Sequence, residues 1–343
     1  MGESAERRWT QWHGRLHVSL RAKQLLPRNS QIAIACSGGQ DSLLLAQLLL
    51  DLQPKWGWKL HLIHCDHQWR PDSADNAAFV MEWAKSQQLA AFLCTFADSN
   101  AASSLSGAPT KTEAAARQWR YDQLQTVAQQ QNCSYLVTGH TASDRAETLL
   151  FNLVRGSGSR GLGSLVPQRS LSNGIQLVRP ILDWLRTDTE TGCQDLCLTP
   201  WEDSSNADFR YSRNRLRGEI IPLLKEHFNP QAESTLARTA GLLQAESDYL
   251  DQCAKKILQE AAIDRHTPPH QLSRTVLAKH PLALQRRSLY QWLNQHVPSS
   301  VSFLAIERVI PLITAPNRTQ TSPFPGGGYV QVRDNALTWV FGS

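Results

Sequence analysis

The stretch that decides the fold runs from Ile32 to Ser42, where the apolar run Ile32–Cys36 passes directly into the turn Ser37-Gly38-Gly39-Gln40-Asp41-Ser42. A short apolar run before a double glycine is typical of a strand that is buried on both faces. The two glycines let the backbone approach an anion closely, and the helical pattern that follows offers unpaired N–H groups to phosphate oxygens. The two serines add hydroxyl donors. The turn therefore predicts a phosphate-binding loop.

Asp41 lies inside this loop and carries a charge that phosphates would repel. A divalent cation that bridges the carboxylate and the phosphates removes the repulsion, so the loop predicts Mg²⁺ bound at Asp41. No lysine follows the glycines to hold a transferred phosphate, which excludes the loop of kinases and GTPases. An ordinary strand-to-helix turn, capped by serine and aspartate, is the structural alternative.

Further apolar runs continue the pattern that this strand begins. They are Leu60–Cys65, Ala91–Phe96 and Tyr135–Thr138, and helical patterns lie between the strands at Ser42–Leu52, Ala74–Gln87 and Thr112–Gln130. This order predicts an α/β fold with a doubly wound parallel sheet of the Rossmann-like kind. Ligands bind at the carboxyl ends of the strands in such sheets, so functional residues are expected after Cys36, Cys65 and Thr138.

The pattern changes after Pro222, where long helices replace the alternation of strands and helices. Helical patterns cover Gln231–Ala262, Leu277–Val297 and Phe303–Ile313, and the segment Tyr329–Phe341 alternates like a hairpin around Asp334-Asn335. The sequence therefore predicts two domains. Residues 1–222 form the catalytic domain and residues 223–343 form a second, smaller α+β domain.

Composition excludes several classes of protein. Of the 343 residues, 41% are hydrophobic and 19% are charged, which excludes a disordered, collagen-like or coiled-coil chain. The net charge of +5 permits a polyanionic partner without requiring one. The seven cysteines are an odd number and show no Cys-x-x-Cys pair, so neither a disulfide framework nor a zinc or iron–sulfur site is indicated. No apolar signal core or membrane-length run is found, and we expect a cytoplasmic protein with no membrane partner.

The loop at Ser37–Ser42 resembles the PP-loop of the ATP-pyrophosphatase superfamily, and further motifs narrow the resemblance. In chain order they are His64-Cys65-Asp66-His67-Gln68-Trp69-Arg70, Glu113-Ala114-Ala115-Ala116-Arg117-Gln118-Trp119-Arg120-Tyr121, Thr138-Gly139-His140 with Asp144-Arg145-Ala146-Glu147-Thr148, Arg155-Gly156-Ser157-Gly158, Arg179-Pro180-Ile181-Leu182, Trp201-Glu202-Asp203-Ser204-Ser205-Asn206 and Arg213-Asn214-Arg215-Leu216-Arg217. Over residues 30–225, roughly, this set resembles the tRNA(Ile)-lysidine synthetase family.

The resemblance implies a ligase that takes part in tRNA modification. ATP is cut between its α and β phosphates to adenylate C2 of the wobble cytidine in a CAU anticodon. The ε-amine of free L-lysine then displaces AMP and gives lysidine, which changes the codon and amino-acid specificity of the tRNA from methionine to isoleucine. ATP and Mg²⁺ are the implied co-substrate and cofactor, and tRNA(Ile) is the implied partner. The oligomeric state is left open, with a homodimer as one alternative.

Asp144 and Glu147 stand three residues apart on a predicted helix, which places both carboxylates on one face. Two acids one turn apart can hold an ammonium or a metal ion, whereas the structural alternative is that they complement the helix dipole. Because the implied reaction requires a lysine amine, we expect Asp144 and Glu147, with Asp41 near the metal, to hold the lysine. One of these carboxylates would take the proton of the amine, and the sequence does not say which.

His64 and His140 end predicted strands at the ligand edge, so they are expected at the ATP site, with satisfied core histidines as the alternative. Arg117 could form a surface pair with Glu113, but its helical neighbours Arg120 and Tyr121 suit phosphate or base contact, and we expect Arg117 in the catalytic site.

Arginines are concentrated after the predicted sheet. Five lie between Arg155 and Arg186 with Asp183 as the sole acid among them, and the run from Arg210 to Arg217 contains no acid. A solvated surface is the plain alternative, but Gly-rich segments and arginine clusters suit a backbone that fits against phosphates. We expect Arg155, Arg213 and Arg217 to contact the tRNA. Two competing functions are a PP-loop tRNA thiolase, which requires a catalytic cysteine pair or cluster ligands to deliver sulfur, and a tRNA-binding protein without activity.

Overall fold

The computed structural model describes residues 9–69, 71–96, 113–163, 165–202, 209, 212–264 and 266–342. Arg70, Thr112, Arg210, Tyr211 and the motif residues 203–206 lie outside the described residues, and the side chain of Glu113 is likewise not described. The chain divides into two compact units, residues 1–242 and residues 243–343. The predicted division of the domains after residue 222 stays a prediction.

The first unit is built on a six-stranded sheet with the strand order β3-β2-β1-β4-β6-β5. The strands are β1 (Gln31–Ala35), β2 (Lys59–Asp66), β3 (Ala90–Thr95), β4 (Tyr135–Thr138), β5 (Gln168–Ser170) and β6 (Gln176–Val178). All pairs are parallel except β5 with β6. The four predicted strands are therefore confirmed to within a residue at either end. The prediction of a doubly wound parallel sheet is also confirmed.

Helices of the first unit cover both faces of the sheet. They are α1 (Gln11–Ala22), α2 (Gln40–Trp56), α3 (Ser73–Ser86), α4 (Glu113–Gln130), α5 (Ala142–Val154), α6 (Ser159–Leu162), α7 (Arg186–Asp195), α8 (Ser212–Arg215) and α9 (Ile221–His227), with a π-helical stretch at Leu216–Ile220. Successive side chains of β1 point to opposite faces of the sheet, so this strand contributes to the hydrophobic core on each face. Ile32 and Ile34 pack in the core beneath α1, α2 and α3, whereas Ala33 faces the core that α4 covers.

The direction in which strands are added to the sheet reverses between β1 and β4. The chain adds β2 and β3 on one side of β1 and then returns to add β4 on the other side. Such a switch point opens a crevice at the carboxyl ends of the two strands. The segments that follow are the phosphate-binding loop after β1 and Gly139-His140 after β4. The topology therefore brings these two segments of chain together.

The second unit combines helices with a small antiparallel sheet, as predicted. Its elements are the C-terminal part of α10 (Ala232–Ala261), then β7 (Gln271–Ser273), α11 (Arg274–Ala278), α12 (Leu282–His296), α13 (Phe303–Val309), a 3₁₀ turn at Ile310–Ile313, β8 (Tyr329–Arg333) and β9 (Ala336–Val340). The strand order is β7-β9-β8. Asp334 turns the predicted hairpin with a left-handed φ of 52°. Across the described residues, no helix combines the length and apolar character required to span a membrane.

Candidate active site

A cavity of about 1030 Å³ opens at the carboxyl edge of β1, β2 and β4. Most of the residues that the sequence predicted for the site line it. They are Ser37, Gly39, Gln40, Asp41, Ser42, His64, Arg117, His140, Asp144, Arg213 and Arg217. Gly38, Glu147 and Arg155 do not line this cavity. Glu147 borders a neighbouring pocket of about 450 Å³, which Arg186 and Arg217 also line.

The two glycines of the loop serve different purposes. Gly38 has φ +88°, and a Cβ there would lie 2.7 Å from Asn76 Oδ1 and 2.9 Å from Val80 Cγ2. A side chain is therefore excluded by both conformation and space. A Cβ on Gly39 would meet only Ser37 Oγ, at 3.7 Å, so that side of the backbone is open to a ligand. Gly39 is also the N-cap of α2.

Ser42 closes the loop with its hydroxyl. Ser42 Oγ donates to the Gly39 carbonyl at 3.0 Å and accepts the N–H of Ser37 at 3.1 Å. Ser37 Oγ lies 3.1 Å from Ser42 Oγ. The segment following β4 packs tightly against this turn, because a Cβ on Gly139 would lie 2.9 Å from the carbonyl carbon and oxygen of Asp41 and from Ser42 Cα. Backbone and hydroxyl groups thus hold the loop in one shape.

The two candidate histidines are held by neighbouring groups. His64 is buried, and its Nδ1 lies 2.8 Å from the carbonyl oxygen of Cys36 at the start of the loop. His140 Nδ1 lies 2.8 Å from Thr138 Oγ1. Burial lowers the pKa of His140 to about 3, although the charge of Asp144 acts in the opposite direction. His140 is therefore neutral at physiological pH and can contact a ligand without adding charge.

Asp41 is anchored from α7, which the sequence did not associate with the site. Thr189 Oγ1 donates to Asp41 Oδ1, and Arg186 NH1 lies 3.7 Å from Asp41 Oδ2. The side-chain amide of Gln40 binds the same helix, donating to Thr189 Oγ1 at 2.9 Å and to the Arg186 carbonyl at 2.8 Å. Burial raises the pKa of Asp41, and the nearby charge of Asp144 raises it further against the effect of Arg186.

The donor set at Asp41 fits a magnesium ion. Mg²⁺ binds hard oxygen ligands and is often held by one or two carboxylates together with substrate phosphates. Asp41 and Asp144 both line the cavity, and Ser37 and Ser42 place hydroxyl oxygens nearby. A cation between the two carboxylates would also offset the burial and repulsion that raise the pKa of Asp41.

Asp144 and Glu147 lie on α5 as the spacing predicts, but they have different surroundings. Asp144 Oδ2 accepts hydrogen bonds from the backbone N–H and the hydroxyl of Thr141, at 2.7 and 2.9 Å, so Asp144 completes a capping box with the N-cap Thr141 and keeps Oδ1 toward Arg217. Glu147 is buried and accepts two bonds from Arg217. Burial raises the pKa of Glu147, and Arg217 reduces this effect without reversing it.

Further arginines line the same cavity. Arg117, Arg120 and Arg213 line it, and the Arg117 guanidinium lies 5.2 Å from the centre of the Tyr121 ring. Burial lowers the pKa of Arg117, and the charges of Arg213 and Arg120 act in the same direction. Burial alone would raise the pKa of Tyr121, but Arg117 and Arg179 lower it. This crowding of positive charge would be relieved by a bound anion.

Arg155 lies apart from this cluster. It is exposed at the end of α5, where its guanidinium stacks 4.9 Å from the centre of the Phe151 ring. Sequence reasoning missed Thr189 as a partner of Asp41 and did not assign Arg186 to the site. The motif Arg179–Leu182 could have indicated both residues, because it follows β6 at the same edge of the sheet and ends four residues before α7 begins.

Comparison with known proteins finds similarities of sequence and of fold. A family profile described as a PP-loop domain matches residues 15–224. A curated tRNA(Ile)-lysidine synthase of Nostoc sp. is 48% identical, with 97% of this chain and 96% of that protein covered. A tRNA(Ile)-lysidine synthase of Synechocystis sp. is 44% identical over 97% of this chain and 98% of its own length.

Among solved structures, a U34-tRNA thiolase from Methanococcus maripaludis superposes with a TM-score of 0.58. The alignment covers 68% of this chain and 78% of the thiolase, at 18% sequence identity. At that level of identity the likeness concerns the fold alone.

Proposed function

Because the chain belongs to the tRNA(Ile)-lysidine synthase family, a family of PP-loop ligases that form a carbon–nitrogen bond, we propose the following two-step reaction for it. ATP activates C2 of the wobble cytidine in the CAU anticodon of tRNA(Ile) by adenylating the oxygen O2 bonded to it. Free L-lysine then displaces AMP to give lysidine. The observation that supports this proposal is a cavity that the phosphate-binding loop lines together with the carboxylates of Asp41 and Asp144 and a group of arginines.

ATP binding is assigned to the loop and its neighbours. The N–H groups at the start of α2 and the hydroxyls of Ser37 and Ser42 would hold the phosphates, with Gly38 and Gly39 permitting the close approach. Gln40 would fix the loop to α7. His64 and neutral His140 would contact the nucleotide from the ends of β2 and β4. Asp41 would hold Mg²⁺, which when bound neutralises charge on the phosphates.

In the first step, the cytidine O2 attacks the α-phosphorus, and the bond from that phosphorus to the bridging oxygen breaks as pyrophosphate leaves. Negative charge accumulates on the phosphoryl oxygens during this displacement, and a guanidinium held in advance stabilises it. Arg117 is assigned to that role, because it lies in the cavity beside two further arginines and burial strengthens its interaction with an anion.

In the second step, the ε-amine of lysine attacks C2, and the bond from C2 to O2 breaks so that AMP departs with that oxygen. The ammonium must first lose a proton. Asp144 and Glu147, with Asp41 near the metal, are the carboxylates assigned to hold the lysine. A raised pKa makes a carboxylate a better proton acceptor near neutral pH, and Glu147 has this property without being assigned to the metal.

Arg217 modifies the lysine assignment. Its guanidinium already binds Glu147 and lies 3.6 Å from Asp144 Oδ1. Asp144 lines the cavity, whereas Glu147 does not, so Asp144 Oδ1 would be accessible to an incoming ammonium. Glu147 would reach the lysine only if Arg217 shares it or moves, for example toward a tRNA phosphate. The position of Arg217 would then depend on both the lysine and the tRNA.

The tRNA would contact the arginines at the mouth of the cavity and beyond. Arg213 and Arg217 line the cavity, and exposed Arg155 at the end of α5 would reach a more distant part of the backbone. Residues 223–343 are assigned as a tRNA-binding module. We place the enzyme in the cytoplasm with its tRNA substrate, and a homodimer is the assembly to test by sedimentation.

The decisive experiment supplies ATP, Mg²⁺, labelled lysine and a CAU-anticodon tRNA(Ile) to the purified protein. We expect label in the tRNA together with equal amounts of AMP and pyrophosphate, and no label in tRNA(Met), which has the same anticodon. ADP as the nucleotide product would contradict the cleavage assigned here. Sulfur entering the tRNA in place of lysine would favour a thiolase, and the absence of any ATP cleavage would favour a tRNA-binding protein without activity.

A further inference from the structure

The loop that joins α10 to β7 in the second unit carries two histidines and an aspartate close together. One possible ligand atom from each of Asp264, His266 and His270 lies within 4.8 Å of the other two. The imidazole rings of His266 and His270 stack with centroids 4.3 Å apart and planes 20° apart. Within the described part of the chain, neither ring takes part in a hydrogen bond. The mechanism proposed above makes no use of these residues.

The backbone of this loop is fixed from several sides. The N–H of Ile263 donates to the Gln271 carbonyl at 3.0 Å, and the N–H of Trp339 donates to the His270 carbonyl at 2.8 Å. The carbonyl of Pro269 accepts the indole N–H of Trp292 at 2.7 Å and lies 3.0 Å from His296 Nε2. A loop tied at both ends and at Pro269 presents its side chains in a defined arrangement, which lowers the ordering cost of binding a ligand.

Asp264 is oriented by the same loop. Its Oδ1 accepts the N–H groups of His266 and His270 at 3.3 and 3.1 Å, and its Oδ2 accepts the His270 N–H at 3.0 Å. A loop cap explains these three contacts by itself. It does not explain the two imidazoles on the same side of the loop. A carboxylate has about four acceptor positions, so capacity for a further partner remains.

We propose that Asp264, His266 and His270 bind a divalent transition-metal ion of the zinc class. Two imidazole nitrogens and one carboxylate oxygen are a ligand set that zinc accepts, with water as the fourth ligand, whereas magnesium and calcium favour oxygen ligands throughout. Metal–ligand bonds of about 2.0–2.2 Å require the ligand atoms to close to about 3.3 Å. His266 is exposed, so a rotation of its side chain can supply this movement.

The bound ion would have a structural role. It would link the loop residues between α10 and β7 into one closed ring and so stabilise the second unit against local unfolding. This inference does not depend on the lysidine reaction, because the three residues belong to the second unit and the test reads metal binding alone.

The test titrates the full-length, tag-free protein with Zn²⁺ by calorimetry, with Mg²⁺ as a parallel titrant. The variants are His266→Gln and Asp264→Asn, and the matched control is His280→Gln, a histidine of the same unit outside the cluster. Asp264→Asn retains an oxygen that can cap the loop. We expect one Zn²⁺ per chain to be lost, or bound at least tenfold more weakly, in both variants and retained in the control.

Exposed Cys197 can also bind zinc, so the test compares the amount and affinity of bound Zn²⁺ between each variant and the control. Zn²⁺ should raise the thermal midpoint of the wild-type protein and of His280→Gln more than that of His266→Gln. Anomalous scattering at the zinc edge from soaked wild-type crystals should place an ion between the three side chains, and this readout needs no variant. Equal binding by His266→Gln and His280→Gln, or no anomalous peak at the loop, would overturn the proposal.

Discussion

The guanidinium of Arg217 donates two hydrogen bonds to the carboxylate of Glu147, from Nε to Oε1 at 2.6 Å and from NH2 to Oε2 at 3.1 Å. The partners are 70 residues apart in the chain. Bidentate pairs of this kind are among the strongest polar contacts in proteins, and they restrict geometry as well as adding energy. The contact joins α5 to the π-helical stretch Leu216–Ile220 and sets the position of the acid that we assign to lysine binding.

Removing Arg217 should therefore destabilise the protein. Arg217→Met leaves Glu147 buried without its partner, and we expect a loss of about 2–3 kcal/mol in the free energy of unfolding. Arg217→Lys retains the charge but loses the second bond, so its loss should be smaller. Urea denaturation of the two variants beside the wild type measures both. Equal stability of Arg217→Met and wild type would show that the contact adds nothing to folding.

The same variant should change how stability depends on pH. Burial raises the pKa of Glu147 in the folded protein, so between the unfolded and folded pKa the native state binds more protons than the unfolded state. Stability from this group is complete below the unfolded pKa and is lost as the pH rises through the folded pKa. Arg217 opposes that rise, so Arg217→Met should lose more stability than the wild type as the pH is raised from the unfolded pKa of Glu147 through its folded pKa. The measurement is the free energy of unfolding at a series of pH values for both proteins. If the two profiles run parallel, Arg217 does not oppose the rise in the pKa of Glu147.

Local sequence was sufficient for the parts of the fold and site that lie close together in the chain. The loop Ser37–Ser42 follows β1 directly, and its glycines and serines carry their chemistry in order. The pair Asp144 and Glu147 lies on one helix face because of helical periodicity alone. The second unit's hairpin was readable from alternation around Asp334-Asn335. In each case the interacting residues are neighbours in the chain or one helical turn apart.

Long-range partners were not available from the sequence. The strand β6 has three residues, and its parallel pairing with β4 and antiparallel pairing with β5 make it part of the sheet. Thr189 lies 148 residues from Asp41, and its role depends on where α7 packs. Arg217 and Glu147 were each singled out, one for tRNA and one for lysine, but nothing in a single sequence indicates that they bind each other.

Asp41→Asn should abolish adenylation. The amide preserves the size of the side chain and its contact with Thr189 but removes the charge that we assign to Mg²⁺ binding. We expect the rate at which the tRNA is adenylated to fall at least 100-fold. A loss of this size is typical when one electrostatic contact is removed from a catalytic site. Asp75→Asn, at an exposed acid on α3, is the matched control. A wild-type rate for Asp41→Asn would remove Asp41 from the metal site.

Glu147→Gln should separate the two steps. The neutral amide retains a partner for Arg217 but cannot attract an ammonium or accept its proton. Adenylated tRNA should accumulate while lysine transfer is blocked, and quench-flow measurement with labelled ATP and labelled lysine distinguishes the two. If adenylation and transfer decline by the same factor, Glu147 acts on the site as a whole and its assignment to lysine is wrong.

Gly139→Ala should weaken ATP binding without touching any ligand directly. The new Cβ would lie 2.9 Å from backbone atoms of Asp41 and Ser42, and no flexible side chain is there to yield. The start of α2 would have to shift, and we expect about 1–3 kcal/mol of destabilisation with at least tenfold weaker nucleotide binding. Gly158→Ala is the control, because nothing lies within 4 Å of a Cβ at that position and its φ is −73°. Calorimetric titration with a non-hydrolysable ATP analogue gives the affinities. Since both variants add one methyl group to a glycine, a loss confined to Gly139→Ala follows from the packing of the β4 segment against the loop, whereas equal affinities would show that the loop tolerates the shift.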